Sequence, residues 1–463
     1  MTDVPVTVSK SAIEGVAWPA LPGRDGMIML AVLQQLEYSQ WWPEQALTTF
    51  QMHQLHALLS HAAATVPFYR DRLTQAGFDP SSALTPELWR DIPILSRDEV
   101  QRAGTRLHSE SVPEAHGKVH KVTTSGSTGK PIQALGTHLS NVYWKAFTVR
   151  EILWHCRDLN ARHATVRHIK SGGARYPDGA TQKFWGPEVT PVFRTGPSAF
   201  LDISSTNAAE QADWLVRQNP DYLLIYPSAL VQLARHCIAN GIRFPKLREA
   251  RTVSEIVHPE VRAAAREAWD VKVVDMYSAN EIGYMALQCP IHDHYHLQSE
   301  SCMVEVLGAH GRPCQPGEVG RVVVTPLHNF ASPLIRYDIL DLAEVGPPCS
   351  CGRGLPVINR IIGRVRNMLM LPEGGRLPSS TALLACIGDR PVKQFQFVQT
   401  ALDTLDAKLV VERPLSEAEE AGIKDDVRRH LGFPFKLTFQ YVDHIPRGPS
   451  GKFEDFRCEV PNS

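Results

Sequence analysis

The sequence predicts an α/β protein in which a large N-terminal domain is followed by a small, mobile α+β cap. From about residue 120 to 345, short β-branched runs alternate with helical patterns, as expected where helices cover a sheet. The last hundred residues contain instead a single strand–helix–strand pattern. We therefore place the large domain, with several sheets, at residues 1–362 and the cap at residues 363–463.

Charge and hydropathy exclude several classes of protein. The 463 residues include 48 Lys and Arg against 49 Asp and Glu, and this balance argues against nucleic acid or an anionic membrane as a partner. The apolar run Met27–Leu33 is far shorter than the roughly 18 residues that a membrane span needs. Nine cysteines at scattered spacings do not resemble a disulfide framework, which favours a reducing cytoplasm.

The elements of the large domain follow from periodicity. The first 115 residues read as mostly helical; in Gln51–Ala64 the leucines recur at helical spacing, and Val66-Pro67 ends the pattern. Farther along, Pro259–Trp269 reads as a helix. Strands are predicted at Tyr222–Tyr226, Val271–Met276 and Arg321–Thr325.

The cap is predicted from one amphipathic helix and its flanking strands. Ser416 and Glu419 have the spacing of a capping box, and Gly432 is a suitable C-terminal stop. Strands are predicted at Lys408–Val411 and Lys436–Asp443. Apolar residues four positions apart form the buried face of the helix: Ile423, Val427 and Leu431.

The strongest local signal is the loop Thr123–Pro131, with the sequence TTSGSTGKP. Its glycines allow a ligand to approach the backbone, its hydroxyl and amide groups can donate to phosphate oxygens, and Lys130 adds positive charge. It is not a Walker A loop, because two residues separate the glycines and Pro131 follows the lysine. A flexible Ser/Gly loop without a ligand is the structural alternative.

Three further motifs follow in the chain. In Asp275–Glu281, Tyr277 could stack on a purine and Glu281 could hold Mg²⁺ bound to phosphates. Leu334–Asp341 ends in a carboxylate suited to ribose hydroxyls, and Pro446–Lys452 carries a lysine on a Gly/Pro/Ser loop. Each alone has a structural alternative, but their order and separations favour a nucleotide site.

With these motifs the chain resembles the adenylate-forming enzymes, in the phenylacetate–CoA ligase-like branch that includes proteins of capsule and polysaccharide loci. The resemblance covers nearly the whole chain. Besides the motifs above, it rests on Val66–Arg70, Ile92–Ser96, Gly317–Gly320 and Gly363-Arg364.

The resemblance implies an adenylation domain, a catalytic cap and a two-step reaction. A carboxylic acid, aryl or small, reacts with ATP to give an acyl-adenylate and pyrophosphate, and a nucleophile then takes the acyl group. The implied catalytic residues are Lys452, Glu281, which would bind Mg²⁺, and Arg364. The implied nucleotide-binding residues are Ser125, Gly126, Ser127, Thr128, Gly129, Lys130, Tyr277, Asn280 and Asp341.

Several positions depart from the branch's pattern. Ser278 and Asn280 replace a glycine and a threonine, and Leu340 replaces the glycine before Asp341. The hinge segment 363–367 lacks the usual acidic pair, and residues 371–378 differ from the segment that lies near the thiol path in CoA ligases. CoA is the simplest acceptor; an amine or a carrier-protein thiol remains the alternative, and an inactive nucleotide-binding scaffold is a third reading.

A cluster of thiols and imidazoles lies outside these motifs. Cys289 precedes three histidines at alternate positions, His292, His294 and His296, and Cys349-Ser350-Cys351 follows later. The spacing alone leaves a zinc site and two unrelated loops with free thiols equally open. The resemblance implies a structural Zn²⁺ held by Cys289, His296, Cys349 and Cys351, with His292 in reserve.

The residues that line the pocket for the carboxylic acid are the hardest to predict from the sequence. The candidates are Arg175, Tyr176, Trp185 and the segment 226–228. Aromatic residues near such a site are more often part of the core than in contact with a ligand.

Overall fold

The computed structural model describes residues 8–123, 132–169, 173–364, 368–373, 376–378, 383, 386–388, 390–448 and 451–460. It is a mixed α/β structure with a large domain and a smaller C-terminal one, so the predicted fold class is confirmed. The predicted phosphate-binding residues Ser125 to Lys130 lie outside the described residues.

Helices dominate the first hundred residues, as predicted, and recur between the central strands. They are α1 (Arg24–Ser39), α2 (Glu44–Thr65), α3 (Tyr69–Gln75), α4 (Pro86–Asp91), α5 (Arg97–Ala103), α6 (His138–Trp154), α7 (Ala208–Gln218), α8 (Pro227–Ala239), α9 (Pro259–Trp269) and α10 (Glu417–Leu431). In none of the described ranges is a helix both long and apolar enough to cross a membrane.

The strands of the large domain include a hairpin that flanks residues 124–131, β1 (Val119–Thr123) and β2 (Gln133–Thr137). The others are β3 (His163–Arg167), β4 (Ala180–Gln182), β5 (Ser198–Asp202), β6 (Tyr222–Ile225), β7 (Glu249–Thr252), β8 (Lys272–Ala279), β9 (Gly283–Gln288), β10 (Tyr295–Leu297), β11 (Cys302–Leu307), β12 (Val319–Pro326), β13 (Tyr337–Val345) and β14 (Val357–Arg364).

In the described ranges, twelve of these strands form one sheet in the order β11-β12-β13-β14-β10-β9-β8-β7-β6-β3-β5-β4. The ladders from β5 through β3, β6 and β7 to β8 are parallel, and the rest are antiparallel. Helices α7, α8 and α9 pack on the parallel part, whose strands are largely buried. Strand β6 is apolar, whereas β7 buries the polar side chains of Glu249, Arg251 and Thr252. Tyr277, Asn280 and Glu281 lie where the two parts meet, in β8 and in the turn before β9.

Strand β8 is longer than the sequence predicts. The pattern predicts Val271–Met276, whereas the strand runs from Lys272 to Ala279. Its parallel pairing with β7 ends at Asp275, but antiparallel pairing with β9 continues from Met276 to Ala279. Because a second partner extends the strand, Tyr277 lies within the sheet rather than in a loop after it.

The cap forms a four-stranded sheet in the order β19-β18-β17-β20. Strands β18 (Thr404–Val411) and β19 (Lys436–Tyr441) are parallel and joined through α10, matching the predicted strand–helix–strand pattern. The sequence analysis missed their companions β17 (Val392–Ala401) and β20 (Phe456–Cys458). A short hairpin, β15 (Met368–Met370) and β16 (Arg376–Pro378), lies before them. The boundary between the large domain and the cap, placed between residues 362 and 363, stays a proposal. Strand β14 of the large domain continues two residues beyond it, to Arg364.

Candidate active site and metal centre

The residue predicted to hold ribose, Asp341, lies in β13 and is surrounded by polar partners. The hydroxyl of Tyr277 donates to its Oδ2 at 2.8 Å, and Nε of Arg364 lies 3.3 Å from its Oδ1. Arg364 faces Asp341 across the β13–β14 ladder, so the sheet register fixes this pair. Burial, together with the Asp341 carboxylate, raises the pKa of Tyr277 well above its ordinary value, which keeps the phenol a donor.

Tyr277 is largely enclosed by the core. Only 8 % of the residue is exposed, and it packs with the residues of the main hydrophobic cluster. The structure thus commits its hydroxyl to Asp341. Its stacking on adenine stays a prediction.

Leu340, which replaces a glycine of the branch's pattern, has a left-handed backbone with φ of +65°. This conformation costs a non-glycine residue about 1 kcal/mol or more. The Leu340 backbone N–H donates to Oδ1 of Asp338 at 2.9 Å, which helps to hold the turn. The strained residue lies directly before Asp341, at the site that the sequence singles out.

Glu281 and Asn280 occupy the turn between β8 and β9. Burial raises the pKa of Glu281, and the charges of Arg97 and Arg364 oppose that rise. A cavity of about 120 Å³ opens beside these two residues. Its lining includes His120 and Val122 of β1, Tyr143 and Trp144 of α6, Tyr284 of β9, and His328, which follows β12.

The cavity wall contains a stacked pair of rings. The rings of Tyr143 and His328 lie 3.8 Å apart with an interplanar angle of 7°. Burial lowers the pKa of His328 to about 3, so its imidazole is neutral. Gly136 of β2 also lines the cavity, and a Cβ there would lie 2.9 Å from Nε2 of His120. The wall therefore combines aromatic rings with polar residues, among them Asn141, Ser301 and Asn329.

The cap brings Lys452 to this region. The side chain is half-buried, and burial followed by the charge of Arg364 lowers its pKa. The acidic groups that act against this shift are Asp341, Glu255 and Glu281. The structure therefore brings Lys452, Glu281, Arg364 and Asp341 into one electrostatic neighbourhood, although they are separated by up to 171 residues (452 − 281) in the sequence. Their roles stay predictions.

The loop that carries Lys452 is bound to the large domain through Glu255, in the connection between β7 and α9. Oε1 of Glu255 accepts from the backbone N–H of Phe453 at 2.7 Å and from Nη1 of Arg447 at 3.3 Å. Its Oε2 accepts from the backbone N–H of Ser228 at 3.0 Å. The sequence analysis missed both Glu255 and Arg447, since neither stands out at a motif position of known chemistry.

The candidate walls of the acid pocket have other roles in the described structure. Tyr176 donates its hydroxyl to Asp213, and Trp185 donates its indole N–H to the carbonyl of Ala161. Tyr226 faces the cap: its Cε2 lies 3.4 Å from where a Cβ on Gly451 would be. The cavity lined by α6 and the β8–β9 turn is the better candidate for the acid.

Four predicted metal ligands converge at the β9–β10 end of the sheet. Their ligand atoms, from Cys289, His296, Cys349 and Cys351, all lie within 4.8 Å of one another. Sγ of Cys289 is 3.9 Å from Sγ of Cys349, and Sγ of Cys351 is 3.3 Å from Nε2 of His296. Tetrahedral Zn²⁺ places two sulfurs ~3.8 Å apart and a sulfur and a nitrogen ~3.5 Å apart. The set is therefore of the right size and chemistry for zinc.

The surroundings of the cluster favour His296 as its nitrogen ligand. Nδ1 of His296 lies 3.3 Å from the carbonyl oxygen of Leu355, which leaves Nε2 for the metal. Burial lowers the pKa of His296 to about 4 and keeps the ring neutral. The reserve candidate His292 is bound to Ser350 instead, while Nε2 of His294 lies 3.0 Å from Sγ of Cys349.

Comparison with protein families places the cap among known domains. Residues 369–456 match the CapK C-terminal domain. This range contains β16 to β19, α10 and Lys452, together with parts of β15 and β20, so the match lies within the segment 363–463 that the sequence assigns to the cap.

Two kinds of curated relative are similar to the chain. It is 25 % identical over 447 residues to a phenylacetate–coenzyme A ligase of Thermus thermophilus, covering 89 % of this chain and 96 % of the relative. It is 22 % identical over 379 residues to protein CapK of Staphylococcus aureus, covering 78 % of each.

Solved structures share the fold. A 2-hydroxyisobutyryl-CoA ligase in the postadenylation state, in complex with R3-HIB-AMP, superposes with a TM-score of 0.72 at 18 % identity, covering 91 % of each chain. The same ligase with 2-HIB-AMP and CoA in the thioesterification state gives 0.56 at 17 % identity, covering 91 % of this chain and 92 % of the other.

The chain has the fold of adenylate-forming CoA ligases, the class to which these solved structures belong. Within that class, the homologues of this chain are phenylacetate–CoA ligases and CapK. The predicted resemblance is confirmed, and with it the predicted kind of enzyme, an AMP-forming ligase similar to acid–CoA ligases.

Proposed function

We propose that this protein activates a carboxylic acid with ATP as an acyl-adenylate and transfers the acyl group to a thiol, most simply that of CoA. The observation that carries the proposal is the placement of Lys452, on the cap, in the field of Asp341 and Glu281 on the large domain. A cation held between these motifs suits the charge that develops when pyrophosphate leaves.

In the first step a carboxylate oxygen of the acid forms a bond to the α-phosphorus of ATP, and the bond from that phosphorus to the bridging oxygen breaks. Pyrophosphate leaves with the bonding electrons. Lys452 stabilises the negative charge that develops around the α-phosphate of the transferring adenylyl group, and Asp341 accepts hydrogen bonds from ribose hydroxyls. Positioning and charge stabilisation dominate such transfers, so no covalent enzyme intermediate is needed.

In the second step the acceptor sulfur attacks the acyl carbon, and the bond to the AMP oxygen breaks. AMP leaves with that oxygen, and the thiol proton passes to solvent. An amine or a carrier-protein thiol would complete the same balance, so the experiment below includes a test of CoA dependence.

The chain has residues for both implied metals. Glu281, a half-buried carboxylate in the turn beside the cavity, fits Mg²⁺ bound to ATP, which neutralises phosphate charge. Cys289, His296, Cys349 and Cys351 fit a structural Zn²⁺, because four protein ligands leave no position open for a substrate.

The arrangement of the two domains supports the adenylation role. The chain superposes better on the related ligase in its postadenylation state than in its thioesterification state, with TM-scores of 0.72 and 0.56. The structure is therefore more similar to the postadenylation state of that ligase than to its thioesterification state. The cytoplasmic location stays a prediction.

The cavity beside Glu281 supports an aryl or other small acid. Its volume is about 120 Å³, and its wall is aromatic and uncharged at Tyr143, Trp144 and His328. A flat or compact apolar group can pack on these three rings.

The test is a panel of carboxylic acids scored for pyrophosphate and AMP release with ATP and Mg²⁺, each with and without CoA. We expect pyrophosphate release with one class of small or aryl acid, and AMP release that CoA accelerates. Acid-dependent turnover indifferent to CoA would favour the amine or carrier alternative. Silence across the panel with ATP still bound would contradict the proposal.

The alkaline side of the pH profile should report on Lys452. Burial and Arg364 lower its pKa below the ordinary 10.5, so the ammonium is lost at a lower pH than on an exposed lysine. Adenylation should therefore fall as pH rises through this lowered pKa. Arg364→Met removes a positive neighbour and should move the alkaline limb to higher pH.

The matched control for this profile is Arg360→Met, since Arg360 is an exposed arginine of the same strand, paired with Glu344. It should leave the limb in place. A limb that does not move in Arg364→Met would show that another group is titrating.

A further inference from the structure

The geometry points to Glu255 as a positioning residue that holds the lysine loop in its adenylation arrangement through Arg447. The inference rests on the proposed function and adds to it a contact between the domains, here called the latch, that supports adenylation and not the transfer step. We define the latch as Glu255 of the large domain with Arg447 and the backbone N–H of Phe453 on the cap.

Both oxygens of the Glu255 carboxylate are used, and they join the two domains. Oε2 is fixed to the large domain by the Ser228 N–H, while Oε1 accepts from the Phe453 N–H at 2.7 Å and from Arg447 at 3.3 Å. Phe453 follows Lys452 directly, so the hydrogen bond to its backbone fixes the position of the lysine.

Arg447 also connects the large domain to the loop that carries Lys452. Its Nη1 also donates to Oγ of Ser228 at 3.1 Å and to the carbonyl of Gly451 at 3.2 Å, so the guanidinium bridges the large domain and the lysine loop. The side chains of Arg447 and Glu255 are only 13 % and 9 % exposed. Removing one partner of an ion pair that is enclosed to this degree is strongly destabilising, because it leaves the other charge buried without a partner.

The lysine loop also fits closely against the large domain. Gly451 has φ of +76°, and a Cβ on it would lie 2.5 Å from Cβ of His168 and 3.4 Å from the ring of Tyr226. Only a glycine allows this approach, which leaves the loop little freedom while the latch is formed.

These contacts exist only while the cap is docked in this orientation. Adenylation, which requires Lys452 at the nucleotide, therefore depends on these contacts. A step that takes place after the cap has moved does not depend on them. The latch should therefore favour adenylation and be neutral, or slightly unfavourable, for transfer of an acyl group from a preformed acyl-adenylate.

The first variant is Glu255→Gln, which keeps the volume of the side chain but replaces one acceptor with a donor. Loss of hydrogen bonds to a charged group should lower acid-dependent pyrophosphate exchange by roughly tenfold or more. The rate of AMP release from added acyl-adenylate and the acceptor should change by less than about twofold. Equal losses in the two half-reactions would overturn the inference.

The second variant, Arg447→Met, removes the other partner. It should give a similar pattern, and the double variant should lose little more than either single one because both remove the same contact. Multiplied losses in the double variant would show that the two residues act separately, and would contradict the latch.

A readout that needs no turnover separates the latch from the proposed function. We would measure the acylation rate of Lys452 with acetic anhydride by peptide mass spectrometry, in the full-length protein and in Glu255→Gln. Lys452 should react roughly tenfold faster in the variant, while the exposed Lys393 serves as the internal control. Unchanged labelling of Lys452 would overturn the latch even if adenylation is found; faster labelling in a protein without adenylation would leave the latch standing and overturn the proposed function.

Discussion

Lys452→Ala is expected to remove nearly all acid-dependent pyrophosphate exchange while ATP still binds with almost unchanged affinity. The side chain comes from the cap, is half-buried beside the motif residues of the large domain, and interacts with the charges of Asp341, Glu255 and Glu281. Removing one group that stabilises transition-state charge costs roughly 100- to 1,000-fold in rate. The affinity for ATP should fall far less, because the large domain alone binds the nucleotide.

The matched control is Lys393→Ala, because Lys393 is an exposed lysine on β17 of the same cap. It should leave exchange and binding as they are. ATP binding would be measured by calorimetry, and the exchange reaction would be measured with labelled pyrophosphate. Equal losses of binding and exchange in Lys452→Ala would assign the lysine to nucleotide binding and contradict its role in the first step.

Removing the metal is expected to lower the melting temperature by about 5 °C or more. The four ligands join the end of β9 and the start of β10 to the loop at 349–351, about 60 residues apart in sequence. Beside that loop, Arg353 lies 4.8 Å from the ring of Trp41 and 4.4 Å from that of Trp154. Without the metal, three thiols and an imidazole would be left packed together, and this connection to the N-terminal helices would loosen.

Metal content measured by mass spectrometry would be followed together with thermal unfolding. We expect about one zinc per chain, lost on chelation and in Cys351→Ser, and a lower melting temperature in both cases. The control variant is Cys156→Ser, since this thiol is exposed and stands outside the cluster. An unchanged melting curve after proven loss of zinc would contradict a structural role.

Local patterns predicted much of the cap helix. Ser416 caps α10, with both bonds of the capping box to Glu419, and Gly432 ends it in the left-handed conformation. Ile423, Val427 and Leu431 are buried on its inner face, as their spacing predicts. These features depend on residues a few positions apart, so the sequence carries them directly.

Features that depend on distant partners were harder to predict. The extension of β8 through Tyr277 arises from pairing with β9, which the pattern of β8 alone does not show. The contact of Glu255 with Arg447 joins residues 192 positions apart. Glu255 lies outside every motif, and Arg447 lies in the Pro446–Lys452 motif at a position to which the sequence assigns no role. The order of motifs predicted the class of protein, but only the fold shows which groups come together around Lys452.

The central claim is that a carboxylate oxygen of the acid attacks the α-phosphorus of ATP. The most direct measurement uses the acid that the panel selects, labelled with ¹⁸O in its carboxyl group, together with ATP, Mg²⁺ and the acceptor. We expect one ¹⁸O atom in the released AMP, because the oxygen that attacks phosphorus stays with it when the acyl group leaves. AMP without label, or label in inorganic phosphate with ADP as the other product, would contradict the account.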